Sequence, residues 1–352
     1  MMSELSDRIL PWYAHYGRKQ LWRGEPPEPY EVWVAVIMLQ QTRVETVIPY
    51  LERWLANFPT VFDLAHASEQ EVLSVWEGLG YYSRARNLHK AAAIVMEEFG
   101  GELPRSLPDL RRLPGIGRYT AGAVASIAFG MDASALDGNL KRVFARVFDV
   151  SEPSDSPTGE AILWDLAEKT LPAGRAGTYN QALMDLGATV CLPRNPACSH
   201  CPLADICRAS LLGIQEQRPV LKVKVKGPHF IVTAAVLRRD GRVLLAKRPS
   251  KGLLGGMWEF PGGKVEPDES LQSCLAREIH EELGVDIYVG QPFGIYEHAY
   301  SHFSITLHAF LCELVDGEPR AIEAAELAWV PPAELKQYPM GKVDRQIAQS
   351  LQ

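Results

Sequence analysis

Over residues 1 to about 215 the apolar positions recur at helix spacing, in stretches cut by Pro29-Tyr30, Gly78, Gly100-Gly101 and Leu113-Pro114-Gly115. This punctuation predicts a succession of helices, and the first part of the chain is expected to be all-α. After a short polar stretch the period changes. Short β-branched runs at residues 230–237 and 243–246 precede a helix-spaced stretch at 270–283 and a further strand run at 304–314. The second part is therefore expected to be α/β, and the chain multidomain. Its 352 residues suffice for two or three separately cored domains. The sequence shows neither an internal repeat nor a low-complexity segment.

Composition refines this picture by exclusion. With 47% hydrophobic and 22% charged residues the chain has an ordinary globular makeup, which excludes collagen-like and disordered classes. It lacks an apolar run of about 18 residues, and Glu4 and Asp7 stand where a signal peptide is basic and then apolar. A cytoplasmic monomer without a membrane partner is the expectation. The net charge of −7 divides as −5 on residues 1–215 and −2 on the rest, so any grip on nucleic acid must be local. The basic run Arg218, Lys222, Lys224 and Lys226, beside Pro219, Gly227 and Pro228, marks a linker. It reads equally as the solvated edge of the next domain and as a track for DNA.

Chemistry first appears in the cysteines. Cys191, Cys198, Cys201 and Cys207 follow a C-x6-C-x2-C-x5-C spacing within seventeen positions, which is a metal site rather than a disulfide set in a reducing compartment. Zinc is the ordinary occupant of four thiolates, but its sites usually pair two C-x2-C units, and here only one pair has that spacing. Cys274 and Cys312 stand apart and are expected to be buried thiols. Upstream, Leu113-Pro114-Gly115-Ile116-Gly117-Arg118 opens an Ala/Gly-rich helix, where Gly115 and Gly117 can turn the chain and expose N–H groups to a phosphate. Twenty residues past Gly117, Asp137 opens the next helical segment, with a helix cap as its simplest role.

In the second part, Gly263, Glu269, Arg277, Glu278, Ile279, Glu281, Glu282, Gly284 and Val285 satisfy the whole Nudix pattern G-x5-E-x7-R-E-U-x-E-E-x-G-U, with U aliphatic. On a helix Glu278, Glu281 and Glu282 span about 100° of one face, where they could gather Mg²⁺ against a diphosphate.

Cysteine spacing, glycine turn and aspartate together resemble the helix-hairpin-helix glycosylases. The cysteine loop is similar to that of endonuclease III and the MutY family, which implies a 4Fe–4S cluster. Met38-Leu39-Gln40-Gln41-Thr42, Gly78-Leu79-Gly80-Tyr81-Tyr82-Ser83-Arg84-Ala85-Arg86 and Tyr179-Asn180-Gln181-Ala182-Leu183-Met184-Asp185-Leu186-Gly187 narrow the resemblance to MutY. It implies a cluster subdomain at 1–27 and 136–215, a six-helix subdomain at 28–135, a linker at 216–227 and a Nudix-like domain at 228–352. The implied partner is duplex DNA carrying adenine opposite 8-oxoguanine. Gln40, Gln41, Thr42 and Tyr81 would meet the duplex, and Arg23 and Gln181 would line the pocket of a flipped adenine. Asp137, with Asn139 and Tyr119 beside it, would stabilise the sugar cation. Relatives that also cut the backbone carry a lysine at the place of Tyr119, so the resemblance implies a glycosylase without lyase activity.

Two departures qualify this. The family's general acid is a glutamate three residues before the Leu of its Leu-Gln-Gln segment, and this chain has Val36 there. Valine carries no proton, Glu31 lies about 140° around a helix from it, and Glu45 lies on the opposite face. Excision is therefore expected to be impaired, leaving open a lesion-recognition protein that does not cut. The second departure is that Glu278, Glu281 and Glu282 are intact where MutY relatives have lost them, which leaves room for a nucleotide-pool hydrolase acting on 8-oxo-dGTP. Tyr300, Ser301 and His302 resemble the MutY loop that reads 8-oxoguanine.

Overall fold

The computed structural model describes residues 2–222, 227–300 and 302–352. Its internal contacts divide the chain into two units, residues 1–66 with 87–224, and residues 67–86 with 225–352. Lys224, Lys226 and Ser301 lie outside the described residues.

Every regular element described in the first unit is helical, as the apolar period predicts. Its central helix, Pro29–Leu39, is buried at Tyr30 and from Val32 through Met38. A helix apolar all round must be enclosed by others, and this one packs on Val44–Asn57 and Arg118–Phe129. Gly122 allows Arg118–Phe129 to lie against the chain at Ser134, because a Cβ there would stand 2.0 Å from the Ser134 carbonyl oxygen. A second core gathers Leu5 and Ile9 from the first helix, Leu140, Val143 and Phe144 from Gly138–Val147, and Tyr179, Leu183 and Leu186 from Ala176–Thr189.

Polar side chains lie within this packing too, Asp185 among them. The Asp185 side chain is fully buried and receives Arg18 at 2.7 Å and Arg23 at 2.8 Å. The Arg18 backbone N–H also donates to it, at 2.9 Å. Burial alone would raise its pKa, but the hydrogen bonds and charge of Arg23 and Arg18 outweigh burial, and the net shift is downward. The carboxylate thereby joins the segment after the first helix to Ala176–Thr189.

In the second unit, strands β1 (His229–Arg239), β2 (Arg242–Lys247), β3 (Trp258–Glu259), β4 (Asp286–Ala299), β5 (Ser304–Asp316) and β6 (Glu326–Val330) form a sheet of order β3-β2-β1-β5-β4, with β6 on β2. β1 and β5 run parallel and the other pairs antiparallel. Alternate residues of β1 face opposite sides. Ala234 and Val236 pack with Val343 and Ile347 of helix Lys342–Ser350, whereas Ala235 and Leu237 pack with Leu275, Ile279 and Leu283 of helix Leu271–Leu283. Helices thus cover both faces, which is the α/β architecture expected. The fourteen-residue β4 has no counterpart in the strand runs predicted from sequence, because few of its side chains are deeply buried and its apolar alternation is weak. The same unit includes helix Glu69–Trp76, whose Ser68 and Glu71 close a capping box, and the Gly78–Tyr82 turn that follows.

Asp185→Asn leaves two arginines facing an uncharged partner and is expected to cost about 3–5 kcal/mol in urea unfolding at neutral pH. A lowered native pKa contributes stability above the ordinary carboxylate value of about 3.9, and that stability is lost as pH falls through the native value. The variant should therefore lose part of the acid-limb dependence seen in the parent.

Candidate functional site

In the first unit the predicted residues converge on the starts of two helices. Gly115 adopts φ +80, a left-handed turn that favours glycine, and Gly117 caps helix Arg118–Phe129 with extended backbone. Tyr119 and Thr120 follow in its first turn. Gln40 ends helix Pro29–Leu39 and donates from Nε2 to Thr120 Oγ1 at 3.0 Å, fastening the Gln40-Gln41-Thr42 turn to that helix. Thr42 Oγ1 donates back to the Gln40 carbonyl at 3.3 Å, and Gln41 projects exposed at φ +57. Val36 is 4% exposed and packs with Val32, Ala123, Ile127 and Ala135, with Tyr119 and Met184 against the same cluster.

Asp137 caps helix Gly138–Val147. Its Oδ1 accepts the Leu140 N–H at 2.7 Å and its Oδ2 accepts Asn139 Nδ2 at 3.2 Å. Burial raises the pKa of Asp137, opposed by the Leu140 and Asn139 hydrogen bonds and by the Arg142 charge. Burial also raises the Tyr119 phenol, and the neighbouring Asp137 charge adds to the shift. Asp137 is thus both the helix cap that its position suggests and an acid in the electrostatic neighbourhood of Tyr119.

The same helix reaches the cysteine loop. Arg142 donates to Asn139 Oδ1 at 2.8 Å, to the Gly187 carbonyl at 2.6 Å and to the Cys191 carbonyl at 2.7 Å. One turn on, Arg146, 2% exposed, donates to Cys191 Sγ at 3.3 Å and to the carbonyls of Leu192, Pro193 and Arg218. Cys191, Cys198, Cys201 and Cys207 line one cavity with Arg146 and Leu203. Burial pushes the Cys201 thiol up to about 12 and raises Cys207 as well. Buried thiols of this kind ionise only against a cationic centre. Among the described residues no three His, Cys, Asp or Glu side chains are drawn together around a single ion.

Two expected pocket residues are placed differently from each other. Arg23 is committed to Asp185, to the Arg18 carbonyl at 2.8 Å and to the face of Tyr13. Gln181 donates to the Gly177 carbonyl at 3.3 Å, while its Oε1 is buried without a hydrogen-bond partner. Sequence reasoning missed Asp185 with Arg18, and also Arg142 and Arg146. The i, i+4 spacing of the last two on a helix leading to cysteines was a usable signal.

In the second unit, helix Leu271–Leu283 carries the glutamates. Arg277 pairs with Glu269 at 2.9 Å, Glu278 at 2.9 Å and Glu281 at 3.1 Å, and its hydrogen bond holds Glu269 down at about 2. Glu281 faces solvent, whereas burial, with Glu259 and Glu278 adding repulsion, pushes Glu282 up to about 8. The three glutamates are therefore not closed around one point. Glu278 lies over Gly263, where a Cβ would stand 2.1 Å from its carboxyl carbon. Opposite, Glu259 pairs with Arg248, and Asp344 accepts the Phe260 N–H at 3.1 Å. Burial, with the Glu259 charge, pushes Asp344 up to about 7. These groups line a cavity of about 1210 Å³. Sequence reasoning also missed this Arg248, Glu259 and Asp344 set, whose members lie up to 96 positions apart in the numbering.

A second cavity in this unit, of about 1860 Å³, is lined by Tyr81, Arg86, His298, Tyr300, His302 and Lys342 among others. Tyr300 stacks on Phe303 at 4.7 Å and meets His298 edge-on at 4.5 Å. Tyr81 is 46% exposed at φ +50.

Three family profiles match the chain: a helix-hairpin-helix (HhH-GPD) superfamily base excision DNA repair protein over residues 34–169, an iron–sulfur binding domain of endonuclease III over 191–207, and a NUDIX domain over 232–350. The chain thus carries an iron–sulfur cluster. The adenine DNA glycosylase of Homo sapiens is 38% identical over 357 residues, covering 86% of this chain and 65% of the relative. That of Mus musculus is 36% identical over 375 residues, covering 92% and 73%. The chain therefore spans slightly less than two thirds of the human relative's length. Among solved structures, a thermostable thymine-DNA glycosylase matches with TM-score 0.55 and 29% identity, over 60% of this chain and 97% of its own. A trapped endonuclease III–DNA covalent intermediate matches with TM-score 0.51 and 25% identity, over 60% and 96%. Among the described residues no helix is long and apolar enough to cross a membrane.

Replacing Cys201 by Ser is expected to remove the broad visible absorption and the bound iron and sulfide of the purified chain. An unchanged visible spectrum and iron content would exclude Cys201 as a ligand.

Proposed function

Because the chain belongs to the adenine DNA glycosylase family, we propose that it acts on adenine opposite 8-oxoguanine in duplex DNA, as a glycosylase without lyase activity whose chemical step is slow. The observation that carries this is Asp137, half-buried yet held by Leu140 N–H and Asn139 beside Tyr119. The Gly115–Gly117 turn offers backbone donors to a phosphate, which needs no net positive charge. In the first unit the exposed Gln41 meets the opened stack and the flipped adenine enters beside Gln181; in the second unit the exposed Tyr81 is offered to the duplex. The buried, unpartnered Oε1 of Gln181 is an acceptor suited to an amino N–H of the base. Arg23 shapes this wall through Asp185.

Cleavage needs negative charge at the sugar and a proton on the departing base. Asp137 supplies the charge, and its hydrogen bonds oppose the neutralisation that burial favours. The sugar carbon then takes a hydroxyl from water, because the Tyr119 phenol cannot form an imine. Nothing at position 36 delivers the proton. Cys191, Cys198, Cys201 and Cys207 would hold a 4Fe–4S cluster, which when bound cross-links the loop after helix Ala176–Thr189. In the second unit, Tyr300 and His302, with Ser301 between them, read the 8-oxoguanine.

Installing the acid tests this directly. Val36→Glu puts a carboxyl into an apolar cluster, where burial raises its pKa and keeps it protonated near neutrality. Single-turnover cleavage of an 8-oxoguanine:adenine duplex is expected to rise about 100- to 10,000-fold. Rapid cleavage by the parent chain would sink the claim of a slow step. A parent that binds the mispair selectively and a variant that still does not cut would favour the alternative, a lesion-recognition protein.

The second-unit cavity favours an additional reading, hydrolysis of an oxidised nucleoside triphosphate with Mg²⁺. Glu278, Glu282, Gly262, Gly263 and Lys264 line it together with Arg248, a set that joins carboxylates for a cation with cations for phosphates. Incubation with 8-oxo-dGTP and Mg²⁺ is expected to release diphosphate, and Glu282→Gln to abolish the release. No diphosphate from the parent removes this reading.

A further inference from the structure

The turn after helix Glu69–Trp76 is strained where it is most exposed. Gly78, Gly80 and Tyr81 all have positive φ, at +93, +77 and +50. Glycine adopts this region freely, whereas a tyrosine does so against its Cβ. Such a conformation persists only where surrounding contacts determine it, and it clusters at functional sites. Some of those contacts come from nearby in the chain. Trp76 Nε1 donates to the Gly80 carbonyl at 3.0 Å, and Arg84 donates to the same oxygen at 3.1 Å while lying over the rings of Trp76 and Tyr81.

Another comes from 268 residues away. Arg345 grips Glu77, the residue that ends helix Glu69–Trp76, through Nε at 2.5 Å and Nη2 at 2.9 Å. Both side chains are 19% exposed. Two further donations, to the carbonyls of Leu335 at 2.8 Å and Tyr338 at 2.5 Å, fix the guanidinium itself. A bidentate, largely buried pair whose cation is already immobilised sets direction as well as distance. Just after Tyr81, Tyr82 Oη donates to the Met340 carbonyl at 3.4 Å, and Arg86 Nη1 to the Gly255 carbonyl at 2.5 Å.

We propose that Arg345, acting through Glu77, is a positioning residue that holds the Tyr81 tip in its left-handed presentation to the duplex. Glu77 and Tyr81 fall in the stretch matched by the base excision repair profile, and Arg345 in the stretch matched by the NUDIX profile. The Nudix fold is then more than a reader of the opposite base, because it sets the geometry of the residue that opens the stack. The cavity beside the tip, with Arg86 and Lys342 for phosphates and Tyr300 and His298 for a base, fits the same use. This inference rests on the reading of Tyr81 as a duplex wedge.

The test uses the full, cluster-loaded chain as it stands. Equilibrium binding at fixed salt is compared for duplexes with 8-oxoguanine:adenine, guanine:adenine and no mispair, and 2-aminopurine beside the lesion reports unstacking. Arg345→Ala and Glu77→Ala are each expected to lower the preference for the lesion duplex by about 5- to 50-fold, and the double variant to lose no more than either single one. The 2-aminopurine signal should fall in parallel, while affinity for the fully paired duplex is unchanged. If either alanine variant fails to fold, Glu77→Gln keeps the size of the side chain and should show a smaller loss of the same kind. A purely structural staple would weaken all duplexes equally and leave unstacking intact, and that result overturns the inference. A parent with no lesion preference overturns the proposed function and this inference with it, whereas a parental preference kept by Arg345→Ala overturns the inference alone.

Discussion

The first unit depends on keeping a carboxylate charged in a place that disfavours charge. In the proposed role Asp137 must be shielded enough for its field to act on a sugar, yet shielding drives it toward the neutral acid. The helix it caps works against that drive without overcoming it. The Leu140 N–H and the Asn139 amide both donate to the carboxylate, and Arg142 fixes Asn139 from the next turn. Arg142 also holds the Cys191 carbonyl, and Arg146 holds the Cys191 sulfur. One ten-residue helix therefore links Asp137 to the cysteine loop through its own side chains.

The second unit meets the same difficulty with several acids. Glu259, Glu282 and Asp344 line one cavity, and burial raises all three. Arg248 pairs with Glu259, and Arg277 takes Glu269, Glu278 and Glu281. Glu281 is thus drawn to Arg277 at the surface, while Glu282 stays in the cavity. This explains how a complete sequence pattern coexists with an arrangement in which the three glutamates are not gathered.

Much of this was legible beforehand where the signal is local. Helix and strand periods gave the all-α and α/β halves, and Ser270 and Gly284 bracket the helix predicted at 270–283. The cysteine spacing, the Gly115 turn, the Asp137 cap and the glutamate pattern are all short-range features. β4 was not legible, because a strand so little buried shows little alternation. Nor were Asp185 with Arg18 and Arg23, or Arg248 with Glu259 and Asp344, since pairing across long separations leaves no local trace.

By itself the sequence determined the class of each half, the family and the cluster-binding cysteine loop, because each is a matter of residue type at a fixed spacing. Tertiary structure alone decided that Arg23 serves Asp185, that Arg248 and Glu259 share a cavity with Asp344, and that Glu77 meets Arg345 across 268 residues. The physical reason is the same in each case. A side chain's charge state and direction are set by the partners that folding brings to it and by the water that folding removes, and neither is encoded in its neighbours along the chain.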